Sequence, residues 1–426
     1  MSKIFLLPVE TSVRELDYKL LLSLKLLQKK GRVFIGSKGH LSIFMKYFSN
    51  FNYIDKGYHS GVSEKIHSSV RSLGGEVFSL DEEGAVDFQN RASLSSRYSI
   101  GAFNKVKRVY FWGKNQENIF SKNKTKSIVT GHPRFELLGS KFKKIYSEEF
   151  GAISLKYGNF VLVNTNMGLG NNIRGDEFVI NNYSSRFPEI QTIIYQDKKK
   201  IEEICQAIKS LLDNNYKVVL RPHPEEDLNI YKSFFANSKD LFIINEGSVV
   251  PWIMASDFLI HTDCTTAIEG IWLDKMCISI MPKNIDQNYI CPLPINLSFS
   301  SHPESLMNDI AKFASLPIID DCKIKLLEEN FSFSSESLKL LSDDLICNAQ
   351  SQGNIKIFSL LIHSLRNQLI GKIKKNEDKL ITNKLRGFNQ KNINYKLGLI
   401  SNSLETKSNC YALKISKYLY EIKMNS

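Results

Sequence analysis

The sequence lacks the features that mark most secreted and membrane-spanning proteins. No apolar run approaches the roughly 20 residues that a membrane-spanning helix needs, and the first residues, MSKIFLLPVE, are too short to read as a signal peptide. No CxxC pair is present, so we expect reduced thiols rather than a disulfide framework or a zinc site. These absences predict a protein that is made and kept in the cytoplasm. The seven cysteines are Cys205, Cys264, Cys277, Cys291, Cys322, Cys347 and Cys410.

Several catalytic signatures are also missing. The sequence has no P-loop, no Gly-x-Ser-x-Gly elbow and no His-Glu-x-x-His motif. No Asp-x-Asp follows a predicted strand, which argues against a metal-dependent site of that type. The segment VLVNTNMGLGNN (161–172) has only two glycines of a dinucleotide loop and no acid at the expected place. We therefore expect neither a metal nor a bound cofactor.

Positive charge is concentrated at the C-terminal end. The formal charge is +12, and residues 351–426 contain 14 Lys and Arg against 4 Asp and Glu, or +10. The remainder is near neutral, which argues against a nucleic-acid partner bound along a basic groove. The basic segment fits an anionic membrane surface or an anionic polymer. It equally fits a solvated helical appendage whose lysines maintain solubility.

Short apolar strands alternate with helix-like segments along most of the chain. The strands include KIFLLPV, RVFIGS and RVYFWG early on, then FVLVNTN, KVVLRPHP and DFLIHTD after Gly158. Such alternation, with strands that are apolar throughout, predicts parallel, doubly wound α/β sheets that are covered on both faces. We predict two Rossmann-like domains, residues 1–150 and 151–345, facing each other across a cleft. A basic helical tail, residues 346–426, is expected to follow.

Polar or glycine-rich residues follow nearly every predicted strand. In open α/β sheets, ligands bind beyond the carboxyl ends of the strands. In the first domain, we expect these residues to line an acceptor site or the cleft: Glu10, Arg14, Lys38, His132 and Arg134. In the second domain, Asn164 and Asn166 are expected to reach into the cleft.

The segment KVVLRPHPEED (217–227) places a histidine between two prolines where a buried strand ends. Pro222 and Pro224 restrict the backbone on either side of His223. With Arg221 nearby, the imidazole is suited to a phosphate oxygen. The alternative is a histidine that bonds a neighbouring loop, with prolines that only end the strand.

The segment DFLIHTDCTTAIEG (257–270) ends a strand and opens a helix with two threonines. Hydroxyls and free amides at a helix start can bind an anion, which makes Thr265 and Thr266 phosphate-binding candidates. The alternative is a capping box, because Thr266 and Glu269 have the T-x-x-E spacing. One helical turn can serve both purposes.

The segment LDEEG (80–84) ends a strand of the first domain with three adjacent acids. Mutual repulsion can raise the pKa of one of them and make it a general base. Gly84 would let the backbone approach a sugar closely. The alternative is an ordinary acidic turn.

Taken in order, these motifs resemble those of the two-domain (GT-B) glycosyltransferases that use CMP-activated ulosonic acids. Bacterial sialyltransferases share an acid-acid-Gly motif, a His-Pro motif and a Ser/Thr pair at a helix start, which here would be Glu82-Glu83-Gly84, His223-Pro224 and Thr265-Thr266. Capsule enzymes that transfer Kdo are similar. The pattern from LPVE through DEEG and GHPRFELL to RPHPEE resembles the bacterial surface carbohydrate biosynthesis proteins over residues 1–345.

The resemblance implies a metal-independent transfer of an ulosonic acid from CMP to a hydroxyl of a surface glycan or glycolipid. It implies that Glu83 is the general base, with Glu82 as the second choice. It also implies that His223 holds the CMP phosphate and assists its departure, with Arg221 and Pro224 in the same donor-binding loop. Thr265 and Thr266 would bind the phosphate, and Glu269 the ribose. The enzyme would lie in the cytoplasm or on the inner face of the membrane.

One position departs from the Kdo transferase pattern. Those retaining enzymes need a carboxylate nucleophile near the first strand of the second domain, where this chain reads VNTNMGLGN with no acid before Asp176. Either the reaction inverts, as in sialyltransferases, or the nucleophile is Asp81, Glu82 or Asp263.

Three other functions fit the same motifs. A polyol-phosphate transferase of the teichoic-acid type would use CDP-glycerol or CDP-ribitol, and the basic tail favours it. A UDP-sugar enzyme, either a transferase or a 2-epimerase, shares the two-domain shape. A non-catalytic scaffold in polysaccharide assembly is the third.

Overall fold

The computed structural model describes residues 3–58, 63–85, 87–90, 94, 104–120, 126–236, 238–332, 336–373, 384–405 and 409–424. The chain divides into two compact units. Unit 1 comprises Met1–Ala85, Ser93–Ile145 and Leu327–Ser426, and unit 2 comprises Val86–Ala92 and Tyr146–Leu326. Both units are α/β, with parallel strands at the centre of each sheet, as the sequence predicts.

Unit 1 is built around an eight-stranded sheet with the order β15-β16-β2-β1-β4-β5-β6-β7. The strands from β2 to β7 in this order are parallel, and apart from those of the edge strand β7 their apolar residues are buried. The strands are β1 (Lys3–Val9), β2 (Gly31–Ser37), β4 (Phe51–Asp55), β5 (Glu76–Leu80), β6 (Arg108–Phe111), β7 (Ser127–Val129), β15 (Cys410–Ser416) and β16 (Leu419–Met424). A separate two-stranded sheet pairs β3 (Phe48–Ser49) with β14 (Asn354–Ile355).

The helices of unit 1 connect these strands and cover the sheet. Buried residues of α1 recur through its whole length, which fits a helix packed against the sheet and its neighbouring helices. The helices are α1 (Ser12–Gln28), α2 (Lys38–Phe44), α3 (Ser63–Ser72), α4 (Lys114–Ile119), α5 (Pro133–Glu136), α15 (Ser337–Asn348), α16 (Ile357–Ile373) and α17 (Gln390–Ser403). Two 3₁₀ turns lie at Met45–Tyr47 and Ser140–Tyr146.

Unit 2 is built around a six-stranded parallel sheet with the order β10-β9-β8-β11-β12-β13. Numbered within the unit, this is the order 3-2-1-4-5-6 of the dinucleotide-binding Rossmann fold. The strands are β8 (Val161–Asn164), β9 (Val218–Arg221), β10 (Leu241–Ile243), β11 (Leu259–His261), β12 (Cys277–Ile280) and β13 (Phe299–Ser301).

The core of unit 2 forms where β-branched strand residues meet the long helix α8. Ile201, Ile204 and Ile208 of that helix pack with Val163 and Ile260 of the sheet. The helices are α6 (Ser147–Tyr157), α7 (Asp176–Tyr183), α8 (Ile190–Asp213), α9 (Asn229–Phe234), α10 (Val249–Ala255), α11 (Thr266–Trp272), α12 (Pro292–Asn296) and α13 (Leu306–Phe313), with a 3₁₀ turn at Gln287–Tyr289. A last helix, α14 (Asp321–Asn330), begins in unit 2 and ends in unit 1.

The C-terminal segment differs from the helical tail that the sequence predicts. It contains α16 and α17, but it also returns to the sheet of unit 1, where β16 pairs antiparallel with β2 and places Ile422 opposite Val33. Leu419 and Ile422 are buried. Backbone pairing with β16 covers the edge of β2, and the buried side chains of Leu419 and Ile422 add to the packing of unit 1.

Candidate functional site

The switch point of the unit 2 sheet lies between β8 and β11, where the strand order reverses. Asn164 ends β8, and Thr266 opens the helix that follows β11. The Asn164 Nδ2 donates a hydrogen bond of 3.0 Å to the Thr266 Oγ1 and so joins the two loops. The Asn164 Oδ1 is buried and makes no hydrogen bond within the described residues. An unsatisfied polar atom at a switch point marks a place where a ligand or water is expected.

The next strand, β9, delivers His223 to the same edge of the sheet. His223 is exposed, and its Nδ1 accepts a hydrogen bond of 3.3 Å from the Glu225 backbone N–H. A Cβ placed on Gly168 would lie 3.2 Å from this Nδ1, so the loop after β8 passes close to the ring. Because the Nδ1 is an acceptor, the neutral ring carries its proton on Nε2. The imidazole is therefore oriented as a hydrogen-bond donor.

One buried carboxylate, that of Glu226, holds this loop in place. It accepts hydrogen bonds from the His223 backbone N–H at 3.1 Å, the Met167 N–H at 3.0 Å, the Thr165 hydroxyl at 2.8 Å and the Tyr231 hydroxyl at 2.6 Å. Burial raises the pKa of Glu226, while these donors oppose the rise. Glu226 thus ties the loop after β8 to the loop after β9.

Glu226 is not among the site residues that were predicted from the sequence. The available signal was its place in the acidic run that directly follows His223 and Pro224.

Arg221 and Pro224, which the sequence also assigns to the donor site, have different surroundings. The Arg221 guanidinium donates to the backbone carbonyls of Glu246 and Gly247, at 2.7 and 3.0 Å, and lies 5.0 Å from the ring centroid of Trp252. Burial lowers its pKa to about 10, which leaves it cationic at neutral pH. These contacts hold the loop after β10. Pro224 is exposed beside His223.

Asn166 forms hydrogen bonds with side chains of the loop after β11. Its Nδ2 donates to the Asp263 carboxylate at 3.2 Å, and its Oδ1 accepts from the Thr262 hydroxyl at 3.0 Å. Asp263 is itself buried and also accepts from the Lys200 ammonium at 3.0 Å. Its carboxylate is therefore fully engaged, which disfavours Asp263 as a nucleophile.

The two threonines occupy the helix start, but the capping box does not form. Thr265 is the N-cap residue of α11 and makes no side-chain cap hydrogen bond. The Thr266 hydroxyl accepts from Asn164 and lies 3.2 Å from the Cys264 Sγ. Glu269 is buried in the same helix. The Thr266 hydroxyl is thus committed to the switch point rather than to capping.

Unit 1 brings basic and acidic side chains together at its own switch point, between β1 and β4. The Glu10 carboxylate follows β1 and lies 2.8 Å from the Lys56 ammonium and 3.5 Å from that of Lys38. Burial acts to raise the pKa of Glu10, but the two ammonium groups outweigh it and lower the pKa to about 2. Glu10 and Lys38, both predicted from the sequence as site residues, therefore lie close together. Lys56 also contacts Glu10 and was not among the predicted residues.

The acidic motif follows β5, and its members have different roles. Asp81 is buried, and its carboxylate accepts from Gln116 Nε2 and from the Glu83 backbone N–H, each at 3.0 Å. A Cβ on Gly84 would lie 2.7 Å from the indole of Trp112 and 2.6 Å from Gln116. Gly84 is therefore required for close packing against Trp112 and Gln116.

Glu82 is buried in a cluster of titratable side chains. Its Oε1 accepts a hydrogen bond from the Tyr18 hydroxyl and lies 3.7 Å from the Lys19 ammonium. Its Oε2 lies 3.9 Å from the His132 Nε2 and makes no hydrogen bond within the described parts of the chain. Burial, then the charges of Arg134 and Lys19, lower the pKa of His132, so its ring is neutral at pH 7.

Glu83 is the accessible acid of the motif. Its side chain is 35% exposed, compared with 2% for Glu82, and it lies 3.7 Å from the Arg14 guanidinium. Burial opposes the charge of Arg14, but the nearby carboxylates of Glu83 and Glu82 raise its pKa. Accessibility favours Glu83 over Glu82 as the acid that a substrate hydroxyl can reach.

Arg134 is buried and packs against the acidic motif. Its guanidinium lies 4.9 Å from the Trp112 ring centroid and 3.4 Å from the Glu82 backbone carbonyl, to which it donates. Its backbone N–H donates to the His132 Nδ1 at 3.2 Å. His132 and Arg134 are therefore both buried against Glu82 of the acidic motif.

The described residues contain no group of three or more His, Cys, Asp and Glu side chains placed to hold a metal ion. None of the helices in that part of the chain is long and apolar enough to cross a membrane.

Comparison with known proteins gives matches among solved structures. No protein-family model matches the chain, and no curated protein does. A structure of UDP-GlcNAc 2-epimerase from Methanocaldococcus jannaschii is 10% identical, with a TM-score of 0.50, and the alignment covers 82% of this chain and all of the epimerase. A structure of the wall teichoic acid polymerase TagF with CDPG is also 10% identical, with a TM-score of 0.52, over 82% of this chain and 88% of TagF.

A further UDP-N-acetylglucosamine 2-epimerase is 11% identical, with a TM-score of 0.50, over 81% of this chain and 96% of the epimerase. The structural similarity establishes the architecture, whereas sequence identities this low leave the substrates open. With the strand orders of both sheets, these likenesses show that the chain has the two-domain, Rossmann-like GT-B fold.

Proposed function

We propose that the chain is a glycosyltransferase that moves an ulosonic acid from its CMP-activated donor to a hydroxyl of a surface glycan. The observation that carries the proposal is the arrangement at the switch point of unit 2. There the exposed His223 has its Nδ1 bonded to the backbone and so presents its Nε2–H as a donor, next to the loop after β8, which begins beyond the unsatisfied acceptor Asn164 Oδ1. A hydrogen-bond donor at this edge of a Rossmann-like sheet suits the phosphate of a nucleotide, and the Asn164 acceptor suits a hydroxyl of the same ligand.

The reaction assigns one role to each unit. In unit 1, the Glu83 carboxylate accepts the proton of the acceptor hydroxyl as its oxygen bonds to the anomeric carbon. The bond from that carbon to the phosphate oxygen breaks, and CMP leaves with both electrons. In unit 2, the His223 Nε2–H donates a hydrogen bond to the departing phosphate and stabilises its charge. The acceptor proton remains on Glu83 until solvent removes it.

A second candidate is the transfer of a polyol phosphate from a CDP-polyol. A structure of TagF with CDPG has the same fold, at a TM-score of 0.52. The His223 donor suits the β-phosphate of such a donor as well as it suits CMP. The two candidates differ in the bond that breaks, which is carbon–oxygen for a CMP-sugar and phosphorus–oxygen for a CDP-polyol.

Release of CMP from a panel of CMP-ulosonic acids, with a glycan extract as acceptor, tests the proposal. Removal of a general base costs roughly 10²- to 10⁴-fold in rate, so we expect Glu83→Gln to lower kcat by at least about 100-fold while nucleotide binding is retained. Glu117→Gln, a partly buried glutamate elsewhere in unit 1, is the matched control and should keep full activity. Turnover of CDP-glycerol alone would favour the second candidate.

A further inference from the structure

Helix α16 of unit 1 has an apolar outer face. Phe358, Leu361, Ile362 and Leu365 are 81, 39, 54 and 61% exposed. Their spacing of i, i+3, i+4 and i+7 places them on one side of the helix. Four large apolar side chains on one stripe are more than the scattered surface residues that need no explanation.

The opposite face of α16 is anchored to unit 1. Leu360 is fully buried in the core of unit 1, and the Ser364 hydroxyl donates to the backbone carbonyl of Ile415 at 3.0 Å. The His363 ring contacts the rings of Phe44 and Tyr47. The helix is therefore fixed in orientation, and the exposed stripe is not the inner face of a helix that has come away from the core.

The charge of this part of the chain selects among possible occupants. Residues 351–426 have a net charge of +10, and Lys356 and Arg366, which flank the stripe in sequence, are both exposed. Two copies of such a surface would repel each other, whereas an anionic lipid surface would attract it. Apolar side chains between basic ones are the pattern of helices that lie in the plane of a membrane interface.

We propose that the outer face of α16 is a membrane-docking surface that binds anionic lipid headgroups, with Phe358, Leu361, Ile362 and Leu365 inserted among the acyl chains. This surface would hold the enzyme at a membrane without a spanning helix. The inference is independent of the donor and acceptor in the proposed reaction.

Co-sedimentation of the full-length chain with lipid vesicles tests the docking surface. We expect binding to phosphatidylcholine vesicles that contain phosphatidylglycerol, weak binding to phosphatidylcholine alone, and a decrease with rising salt. The double variant Phe358→Ser/Leu365→Ser should lower the bound fraction at least about threefold, since binding scales with buried apolar area. Leu155→Ser/Phe234→Ser, which removes side chains of 91 and 56% exposure in unit 2, is the matched control and should bind normally.

Four results would overturn the proposal. Absence of binding to either vesicle type would remove it, as would equal loss of binding in the double variant and its control. Equal binding to both vesicle types would exclude an anionic surface as the specific partner. Dimerisation in light scattering that the double variant abolishes, without vesicle binding, would assign the stripe to a second copy of the chain.

Discussion

At the scale of single residues, Glu226 fixes the conformation of the loop after β9, which carries His223. Its carboxylate accepts from two backbone N–H groups and two hydroxyls, and its side chain is almost fully buried. Removal of this acceptor leaves buried donors unsatisfied, which costs about 1–3 kcal/mol for each. The position of His223 depends directly on one of these bonds.

We expect Glu226→Ala to lower CMP affinity by more than about tenfold, or 1.4 kcal/mol, because the His223 backbone loses its acceptor. Glu226→Gln keeps one carbonyl oxygen in place and should bind CMP close to normally. Calorimetric titration of both variants measures the difference, and circular dichroism checks that each is folded. Undiminished CMP binding by the folded Ala variant would refute the positioning role.

Gly84 gives a second test at this scale, because the structure assigns it to packing. Gly84→Ala should destabilise the chain by about 1–3 kcal/mol, since the new methyl group overlaps Trp112 and Gln116. Gly398→Ala is the matched control, because a Cβ there meets nothing within 4 Å inside α17. We expect that control to be stabilised by about 0.5–1 kcal/mol.

Chemical denaturation of the two glycine variants measures these changes. If Gly84→Ala were as stable as the unchanged chain, Gly84 would not be held against Trp112. The acidic motif would then need another explanation for its glycine.

At the scale of elements, β16 completes the sheet of unit 1. Ile422 lies opposite Val33 of β2 and is buried, whereas Leu413 of the neighbouring β15 is 42% exposed. We expect Ile422→Ala to cost about 2–5 kcal/mol in the free energy of unfolding. Leu413→Ala, the matched control, should change it by less than about 0.5 kcal/mol. Equal effects of the two variants in urea denaturation would show that β16 does not pack on the sheet.

The same hairpin shows where reading the sequence fell short. The apolar parallel strands of both units were predictable because a doubly covered sheet demands continuous apolar runs. The hairpin CYALKISKYLYEIKM, by contrast, has lysines among its apolar residues, as a surface helix does. Its period-two alternation was the signal for strands, and Tyr418, with φ of 57°, supplies the turn.

In each unit, the strand-end rule indicated which segments lie at the carboxyl edge of the sheet, with Asn164 and His223 in unit 2 and Glu83 in unit 1. It could not indicate which polar side chains form hydrogen bonds with neighbouring residues of the protein. Arg221 bonds two carbonyls and Asn166 bonds Asp263, and both outcomes depend on contacts between residues far apart in the chain. Glu226 was missed for the same reason, since its partner Thr165 is contributed by another strand end.

At the scale of the whole molecule, the two units have similar folds but different charge. Both units have Rossmann-like sheets, but most of the net positive charge lies in residues 351–426, which belong to unit 1. The donor chemistry is assigned to unit 2, while the acidic motif and the α16 stripe belong to unit 1. Donor binding and membrane docking can therefore be tested by separate variants.

Calorimetric titration of CMP into the full-length chain and into His223→Ala tests the central claim most directly, with CDP-glycerol and UDP as competing ligands. The account predicts that CMP binds and that His223→Ala weakens it at least about tenfold, because a hydrogen bond to a charged group contributes about 1.5–3 kcal/mol. His302→Ala, a partly buried histidine elsewhere in unit 2, should leave the affinity unchanged. Binding of CDP-glycerol or UDP without CMP, or CMP binding that is indifferent to His223, would contradict the account.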